Sequence, residues 1–375
     1  MKRHIYADNA ATTKLDRDAF EAMLPWLQEQ YGNASQPYAF ARKPREALLE
    51  ARMRIAECIG AFPEEIYFTS GGTESDNWAI KGMMRHGDNR ATITSRIEHH
   101  AVLHACKSIE GLGFPVVYLP VDGKGLVTPE VLSQVITNET KLVSVMLVNN
   151  EIGTIEPVAD LACIAHDHGA LFHTDAVQAV GHIPVDVKSL GVDLLSASAH
   201  KFNGPKGVGF LYIKKDTEIS PYADGGAQEA GMRAGTENIA SIVGMAVALQ
   251  KSVHVMKETQ YHLRNLERMI VAALSKAGID YIRNGQESHV PGNLSLSFKG
   301  YEGEMLLHRL DLMGIMVSTG SACDSKNTRI SHVLRAIDVD KNYAMGTIRI
   351  SLGKDNTEEE AVQIAESIIK IINGQ

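Results

Sequence analysis

Short apolar runs alternate with amphipathic stretches along most of the chain up to about residue 250. The apolar runs predict strands near residues 65–70, 92–95, 115–119, 142–148, 170–174, 192–196 and 207–213. Helical periodicity lies between most of them, most clearly at residues 16–30, 44–59, 129–136 and 158–168. Strands that alternate with helices are typical of a mostly parallel sheet covered on both faces. The pattern therefore predicts an α/β fold around a seven-stranded sheet.

The pattern changes after the glycine-rich stretch 225–235. One long helix is predicted over residues 238–276, with a domain change inside it near residue 250. Further elements are predicted as strands near 293–298 and 347–351 and as helices near 302–312 and 357–372. We interpret residues 15–250 as a large domain, and residues 1–14 with 251–375 as a smaller α/β domain.

Composition narrows the class of protein. Of 375 residues, 44% are hydrophobic and 22% are charged, which is typical of a globular protein. A net charge of -8 gives no basic surface for nucleic acid. The first residues lack the apolar core of a signal peptide, and no run of about 18 apolar residues occurs. We therefore expect a cytoplasmic protein without a membrane or nucleic-acid partner.

The four cysteines differ in their surroundings. Cys58, Cys106 and Cys163 fall in helical patterns and are interpreted as small core residues. Cys323 lies in a polar stretch that contains glycine and serine, which predicts an exposed thiol, either a reactive group or a liability. The chain has no Cys-x-x-Cys motif, so we expect neither a disulfide framework nor a metal site, and a reducing compartment fits best.

Polar residues cluster where predicted strands end, which is the edge where open α/β sheets bind ligands. Lys201 follows the apolar run at 192–196, and Asp175 follows the run at 170–174. A buried aspartate needs a partner, and a protonated pyridine nitrogen is one. A lysine nearby can form a Schiff base with an aldehyde on the same ring. This pair therefore indicates pyridoxal 5'-phosphate (PLP).

Gly71, Gly72 and Thr73 form a turn between a predicted strand and a predicted helix. Free backbone N–H groups and the helix dipole converge at such a turn and favour an anion. The turn is therefore a candidate phosphate site, with Ser198 and His200 as additional donors.

A series of motifs runs in order along nearly the whole chain. It includes Thr69-Ser70-Gly71-Gly72-Thr73-Glu74 and Ser198-Ala199-His200-Lys201. The other matching stretches are residues 8–13, 75–77, 98–102, 148–153, 173–178, 204–207, 233–238, 318–323 and 331–334. Together they resemble the NifS/IscS-like cysteine desulfurases, which are class V aminotransferases of PLP fold type I.

The resemblance implies a role for each matching residue. Lys201, His99 and Cys323 would be catalytic: the Schiff-base lysine, the residue stacked on the ring, and the nucleophile that accepts sulfur. Asp175 would pair with the pyridine nitrogen. The ring oxygen would contact Asn150 and Gln178, and the phosphate would contact Gly72, Thr73, Ser198, His200 and Thr236 from the other subunit of a homodimer. Asn150 and Arg349 would bind the substrate, with Arg349 holding its carboxylate.

The implied activity is removal of sulfur from L-cysteine, which yields L-alanine and a persulfide on Cys323. The implied partner is a sulfur-acceptor protein, such as an iron–sulfur scaffold or a component of a thiolation pathway. Three alternatives stay open at this point. One is a selenocysteine lyase or another PLP-dependent lyase or aminotransferase. The second is a non-catalytic relative that binds PLP, and the third is a protein with no cofactor.

Overall fold

The computed structural model describes residues 4–84, 88–319 and 330–374. The strands are β1 (Ile5–Tyr6), β2 (Ile66–Thr69), β3 (Ala91–Ser95), β4 (Val116–Leu119), β5 (Thr140–Ser144), β6 (Leu171–Asp175), β7 (Leu194–Ser198), β8 (Gly209–Ile213), β9 (Tyr281–Arg283), β10 (Asn293–Phe298), β11 (Ile315–Met316) and β12 (Thr347–Ser351). The α-helices are α1 (Arg17–Gln28), α2 (Arg42–Ile59), α3 (Gly72–Lys81), α4 (His100–Glu110), α5 (Pro129–Ser133), α6 (Val158–Asp167), α7 (Val187–Leu190), α8 (Ile239–His254), α9 (Met256–Lys276), α10 (Gly303–Leu312), α11 (His332–Ala336), α12 (Lys341–Ala344) and α13 (Glu358–Ile372).

Within these residues, the largest sheet has seven strands in the order β2-β8-β7-β6-β5-β3-β4. The pairs from β7 to β4 are parallel, whereas β8 is antiparallel to both of its neighbours. Strands β7 and β8 are buried along their whole length, as expected for strands covered on both faces. The predicted α/β fold with a mostly parallel seven-stranded sheet is therefore confirmed.

The helices that cover this sheet follow the apolar spacing of the sequence. Helix α2 buries Leu48, Ala51, Ile55 and Ile59, which lie three or four positions apart and so share one face. Gly60 ends the helix in the left-handed region, with a φ of 71°, and its N–H bonds back to the last turn. Local sequence signals thus fix both the buried face and the end of the helix.

A second hydrophobic core surrounds the antiparallel sheet β12-β10-β9. Residues of α9, α10 and α13 pack into it, and Ile5 and Ala7 at the start of the chain belong to it. Strand β1 also pairs with β11, which joins the first residues to this core. The domain boundary expected at residue 250 falls inside α8 and stays a prediction.

The prediction of a single helix over residues 238–276 is wrong. Two helices, α8 and α9, meet at Val255 and are bent by 69° relative to one another. Helix α8 packs on α1 and α2, whereas α9 packs on α13 in the second core. The bend lets each helix bury its apolar face against a different set of helices. Among the described residues, no single helix is long and apolar enough to cross a bilayer. Helices α8 and α9 meet that length and composition only when they are taken together.

Candidate active site

A cavity of about 540 Å³ opens at the carboxyl ends of the parallel strands. Most of the site residues expected from the sequence line it together: Gly72, Thr73, His99, Asn150, Asp175, Gln178, Ser198, His200, Lys201 and Arg349. They come from strand ends, from the start of α3 and from β12, so residues far apart in the chain meet in one cavity.

The start of α3 forms one end of this cavity. Gly71 has a φ of 145°, in a region that glycine adopts readily, and α3 begins immediately after it. A Cβ on Gly72 would lie 2.6 Å from Val177 Cγ2, so glycine lets the helix start approach the end of β6. Ser198 Oγ lies 3.4 Å from the position of a Cβ on Gly71. Backbone N–H groups and a hydroxyl therefore converge at a helix N-terminus, which suits a phosphate.

Asp175 lies at the end of β6 and is buried. Its Oδ1 accepts a hydrogen bond of 2.9 Å from the Val177 N–H. Burial raises the pKa of this carboxyl above its ordinary value, while the Val177 N–H and the charge of Lys201 partly oppose that rise. A cation placed against Asp175 would stabilise its ionised form. The site therefore fits a protonated pyridine nitrogen.

Asp76 on α3 is a second buried carboxyl group close to Asp175. One donor atom from each of Asp76, His99 and Asp175 lies within 4.8 Å of the other two. Burial, followed by the charge of Asp175, raises the pKa of Asp76 well above its ordinary value. Burial and the charge of Asp175 thus both disfavour ionisation of Asp76.

His99 precedes α4 and caps it, because its Nδ1 accepts a hydrogen bond of 3.2 Å from the Ala101 N–H. Burial and the charge of Lys201 lower the pKa of His99 to about 4. The imidazole is therefore neutral at pH 7, with its proton on Nε2 because Nδ1 is the acceptor. A neutral ring that lines the cavity suits stacking on another ring.

Lys201 follows β7, and its ammonium group contacts the N-terminal segment. Nζ donates hydrogen bonds to the carbonyl oxygens of Ala10 at 2.6 Å and Ala11 at 2.9 Å. The Gln178 side chain donates to the same Ala10 oxygen at 2.9 Å. His200 bonds to Thr12 Oγ1 at 3.1 Å, and burial lowers the pKa of His200 to about 4. The segment from Asp8 to Thr12 thus forms a wall of the cavity.

Arg349 projects from β12 and is buried. Its Nη1 donates to the Asn150 carbonyl oxygen and its Nη2 donates to Asp8 Oδ1, both at 2.8 Å. The neighbouring Asn149 has a structural role, because its Oδ1 accepts from the N–H groups of Glu151 and Ile152 and so shapes the turn. The site therefore holds a fixed cation that can receive an anionic group.

Two expected site residues are not among those that line the cavity. Thr236 is exposed, on the segment before α8. Cys323 lies outside the described residues. The other cysteines follow the expectation only in part, because Cys58 is half-buried and Cys106 buried, whereas Cys163 is exposed on α6. The core interpretation of Cys163 is wrong, because its position in α6 faces away from the sheet.

Sequence reasoning assigned no role to Asp8, the Ala10 and Ala11 carbonyl oxygens, or Asp76. Asp8, Ala10 and Asp76 all belong to motifs that match the resembled family, and this match was the available signal that they take part in the site. Their roles depend on backbone contacts and burial, and residue type alone does not reveal these.

The comparisons with known proteins agree with this geometry. The class-V aminotransferase profile matches residues 5–364. The chain is 49% identical to cysteine desulfurase IscS of Dictyoglomus turgidum, over 99% of this chain and 95% of that protein. It is 45% identical to cysteine desulfurase IscS of Methanosarcina thermophila, over 98% and 92%.

Solved structures give the same result. A NifS-like protein with 40% identity superposes with a TM-score of 0.94 and covers 100% of both chains. SspA in complex with cysteine has 34% identity and a TM-score of 0.83, over 94% of this chain and 100% of that one. The fold is that of the fold type I PLP enzymes. The chain therefore belongs to the class-V aminotransferase family and, within it, to the cysteine desulfurases of the IscS and NifS type.

Proposed function

We propose that this protein is a PLP-dependent cysteine desulfurase, which converts L-cysteine into L-alanine and transfers the sulfur atom to Cys323. One observation carries the proposal. Lys201, Asp175 and His99 meet in a single cavity between a helix N-terminus and the buried cation of Arg349. An amine, a buried acid, a neutral ring and an anion site are the features that PLP requires of a protein.

The residues present fit this cofactor. Gly72, Thr73, Ser198 and His200 would hold the phosphate. Asp175 would pair with the ring nitrogen, because a positive charge beside this carboxyl offsets the burial that raises its pKa. His99 would stack on the ring, and Asn150 and Gln178 would contact its oxygen. Thr236 is exposed and not among the cavity-lining residues, so we assign it to the phosphate of a second copy in a homodimer.

PLP supplies an electron sink for the negative charge that develops when the substrate loses its Cα proton. The protein's own residues do the rest. Arg349 holds the substrate carboxylate and so orients the Cα–H bond. Lys201 Nζ removes the Cα proton, and the Ala10 and Ala11 carbonyl oxygens receive Nζ when it carries that extra proton. His99 stays neutral, so the proton taken from the substrate is carried by Lys201 and not by His99.

Cys323 would complete the reaction. Its thiolate would attack the substrate sulfur and form the S–S bond, while the bond between that sulfur and the substrate Cβ breaks. The electron pair of the broken bond stays with the substrate, whose Cβ takes up a proton and becomes the methyl group of alanine. Cys323 then carries a persulfide. Ser318 and His332, which lie on either side of residues 320–329, both line the cavity. Described residues just before and just after the segment that contains Cys323 thus lie at the cavity, which supports this assignment.

The destination of the sulfur is also part of the proposal. A persulfide is passed to an acceptor protein, of iron–sulfur cluster assembly or of a thiolation pathway. We place the protein in the cytoplasm because a free nucleophilic thiol requires a reducing compartment. We also assign residues 15–250 to the cofactor domain, and residues 1–14 with 251–375 to the smaller domain that carries Arg349 and Cys323.

Two measurements on the purified protein test the proposal. The protein is reduced with borohydride and digested, and mass spectrometry locates the cofactor; incubation with L-cysteine is analysed for alanine. We expect the cofactor on Lys201 and equal amounts of alanine and transferred sulfur. A keto acid in place of alanine would indicate an aminotransferase. A yellow protein without turnover would indicate a non-catalytic relative, and an unmodified Lys201 would overturn the whole proposal.

A further inference from the structure

Asp8 forms an ion pair with the arginine to which the proposed function assigns the substrate carboxylate. Arg349 Nη2 lies 2.8 Å from Asp8 Oδ1, and the two side chains are 6% and 21% exposed. Arg349 is thus neutralised by a residue of the protein before any substrate arrives. The proposed chemistry gives Asp8 no role that would explain this pairing.

Backbone hydrogen bonds place Asp8 beside β12. The Ser351 N–H donates to Ala7 O at 2.8 Å, and the Asn9 N–H donates to Ser351 O at 3.0 Å. On the other side, the Ala7 N–H donates to Met316 O at 2.9 Å. These bonds involve only main-chain atoms, so the position of residue 8 does not depend on the charge of its side chain.

Arg349 keeps donors for a substrate while it is paired. A guanidinium has five N–H groups, and the contacts with Asp8 and with the Asn150 carbonyl oxygen use two of them. Its Nε is buried and has no hydrogen-bond partner among the described residues. The arginine also lines the cavity. A substrate carboxylate can therefore be added without displacement of Asp8.

Two carboxylates would then share one buried cation. The substrate carboxylate would be attracted by Arg349 and repelled by Asp8, both in a partly desolvated site where screening is weak. Asp8 therefore reduces the attraction that an unpaired arginine would exert.

We infer that Asp8 sets the affinity of the site for the carboxylate of amino acids, by keeping Arg349 partly neutralised. The inference rests on the proposed role of Arg349. Its consequence is weaker ground-state binding of L-cysteine and easier release of L-alanine. Binding energy that only tightens the ground state does not speed the chemical step, so weaker product binding favours turnover.

The test compares Asp8→Asn with the wild-type holoenzyme. Asparagine keeps an oxygen that can accept from Arg349 Nη2 but removes the charge. The dissociation constant of L-alanine is measured by calorimetry in a low-salt buffer without chloride. We expect about tenfold tighter binding in the variant, with a matching fall in KM for L-cysteine. Cysteamine, which has the amine and thiol but no carboxylate, should bind both proteins equally.

Matched variants separate charge from other effects. Asp8→Glu keeps the negative charge and should not tighten alanine binding. Asp8→Ser removes the charge and takes the place of Asp8→Asn if that variant does not fold. Asp355→Asn removes the charge of an exposed acid on the segment after β12 and should bind alanine as the wild type does. Unchanged or weaker alanine binding in the neutral variants, or equal tightening of cysteamine, would overturn the inference. Wild-type protein that forms no alanine from L-cysteine would instead refute the proposed function.

Discussion

The ion pair between Arg52 and Glu229 gives a sharp prediction about stability. Arg52 on α2 bonds both carboxylate oxygens of Glu229, at 2.9 and 2.6 Å. The Phe68 N–H donates to Glu229 Oε2 at 2.9 Å, and the Arg52 guanidinium lies 4.4 Å from the centre of the Phe68 ring. The side chains of Arg52 and Glu229 are only 18% and 5% exposed. This pair holds the segment before α8 against β2.

Glu229→Gln should be strongly destabilising. It leaves the Arg52 charge buried without a counter-charge, and one amide oxygen must replace two carboxylate oxygens that accept three hydrogen bonds. Loss of one partner of a buried ion pair costs about 3–5 kcal/mol, and the partial exposure of Arg52 favours the lower end, about 3 kcal/mol. For a chain of 375 residues, an unfolding entropy of about 0.8 kcal/mol/K converts this into about 4 °C in Tm.

The assay is thermal unfolding of the holoenzyme, with Glu50→Gln as the matched control. Glu50 pairs with Arg54 on the same helix, but these side chains are 58% and 37% exposed. A pair of this kind contributes about 0.5 kcal/mol or less, so its Tm should fall by under about 1 °C. Arg52→Met should rescue part of the Glu229→Gln loss when the two are combined. Equal shifts in the two glutamine variants, or strictly additive effects in the double variant, would refute the reasoning.

Three further predictions concern buried groups and thiols. His173 bonds to two serine hydroxyls, and burial lowers its pKa to about 3. Below about pH 6.5, His173 therefore binds a proton in the unfolded state but not in the folded state. The free energy of unfolding thus falls as the pH falls. Urea unfolding at pH 7.5 and 5.0 should show wild type losing about 2 kcal/mol more than His173→Gln; equal losses would contradict this. Asp175→Asn should lower alanine formation about a hundredfold or more, whereas Asp76→Asn should change it less than about threefold, because burial and the charge of Asp175 disfavour the ionised form of Asp76. Comparable losses in the two variants would contradict this difference. Cys323→Ala should abolish sulfur transfer and keep the cofactor absorbance, while Cys163→Ala should keep full activity; an active Cys323→Ala would remove that residue from the mechanism.

Several features of this protein could be predicted from the sequence because they depend on neighbouring residues. The apolar period indicated the strands and helices of the large sheet, and the glycine turn at Gly71 indicated the start of α3. The positions of Lys201 and Asp175 just after or at the ends of buried strands followed from the same pattern. The resemblance of the motifs to the cysteine desulfurases then indicated the chemical roles of Lys201 and Asp175.

Other features were decided only by the tertiary structure. Hydrophobic period does not specify which strands pair, so the antiparallel insertion of β8 between β2 and β7 was not foreseen. The bend at Val255 arises because α8 and α9 pack on different cores, although the local sequence is helical on both sides. Likewise, the pair between Asp8 and Arg349 joins residues 341 positions apart. Such contacts depend on how distant segments meet, and a local sequence pattern carries no information about that.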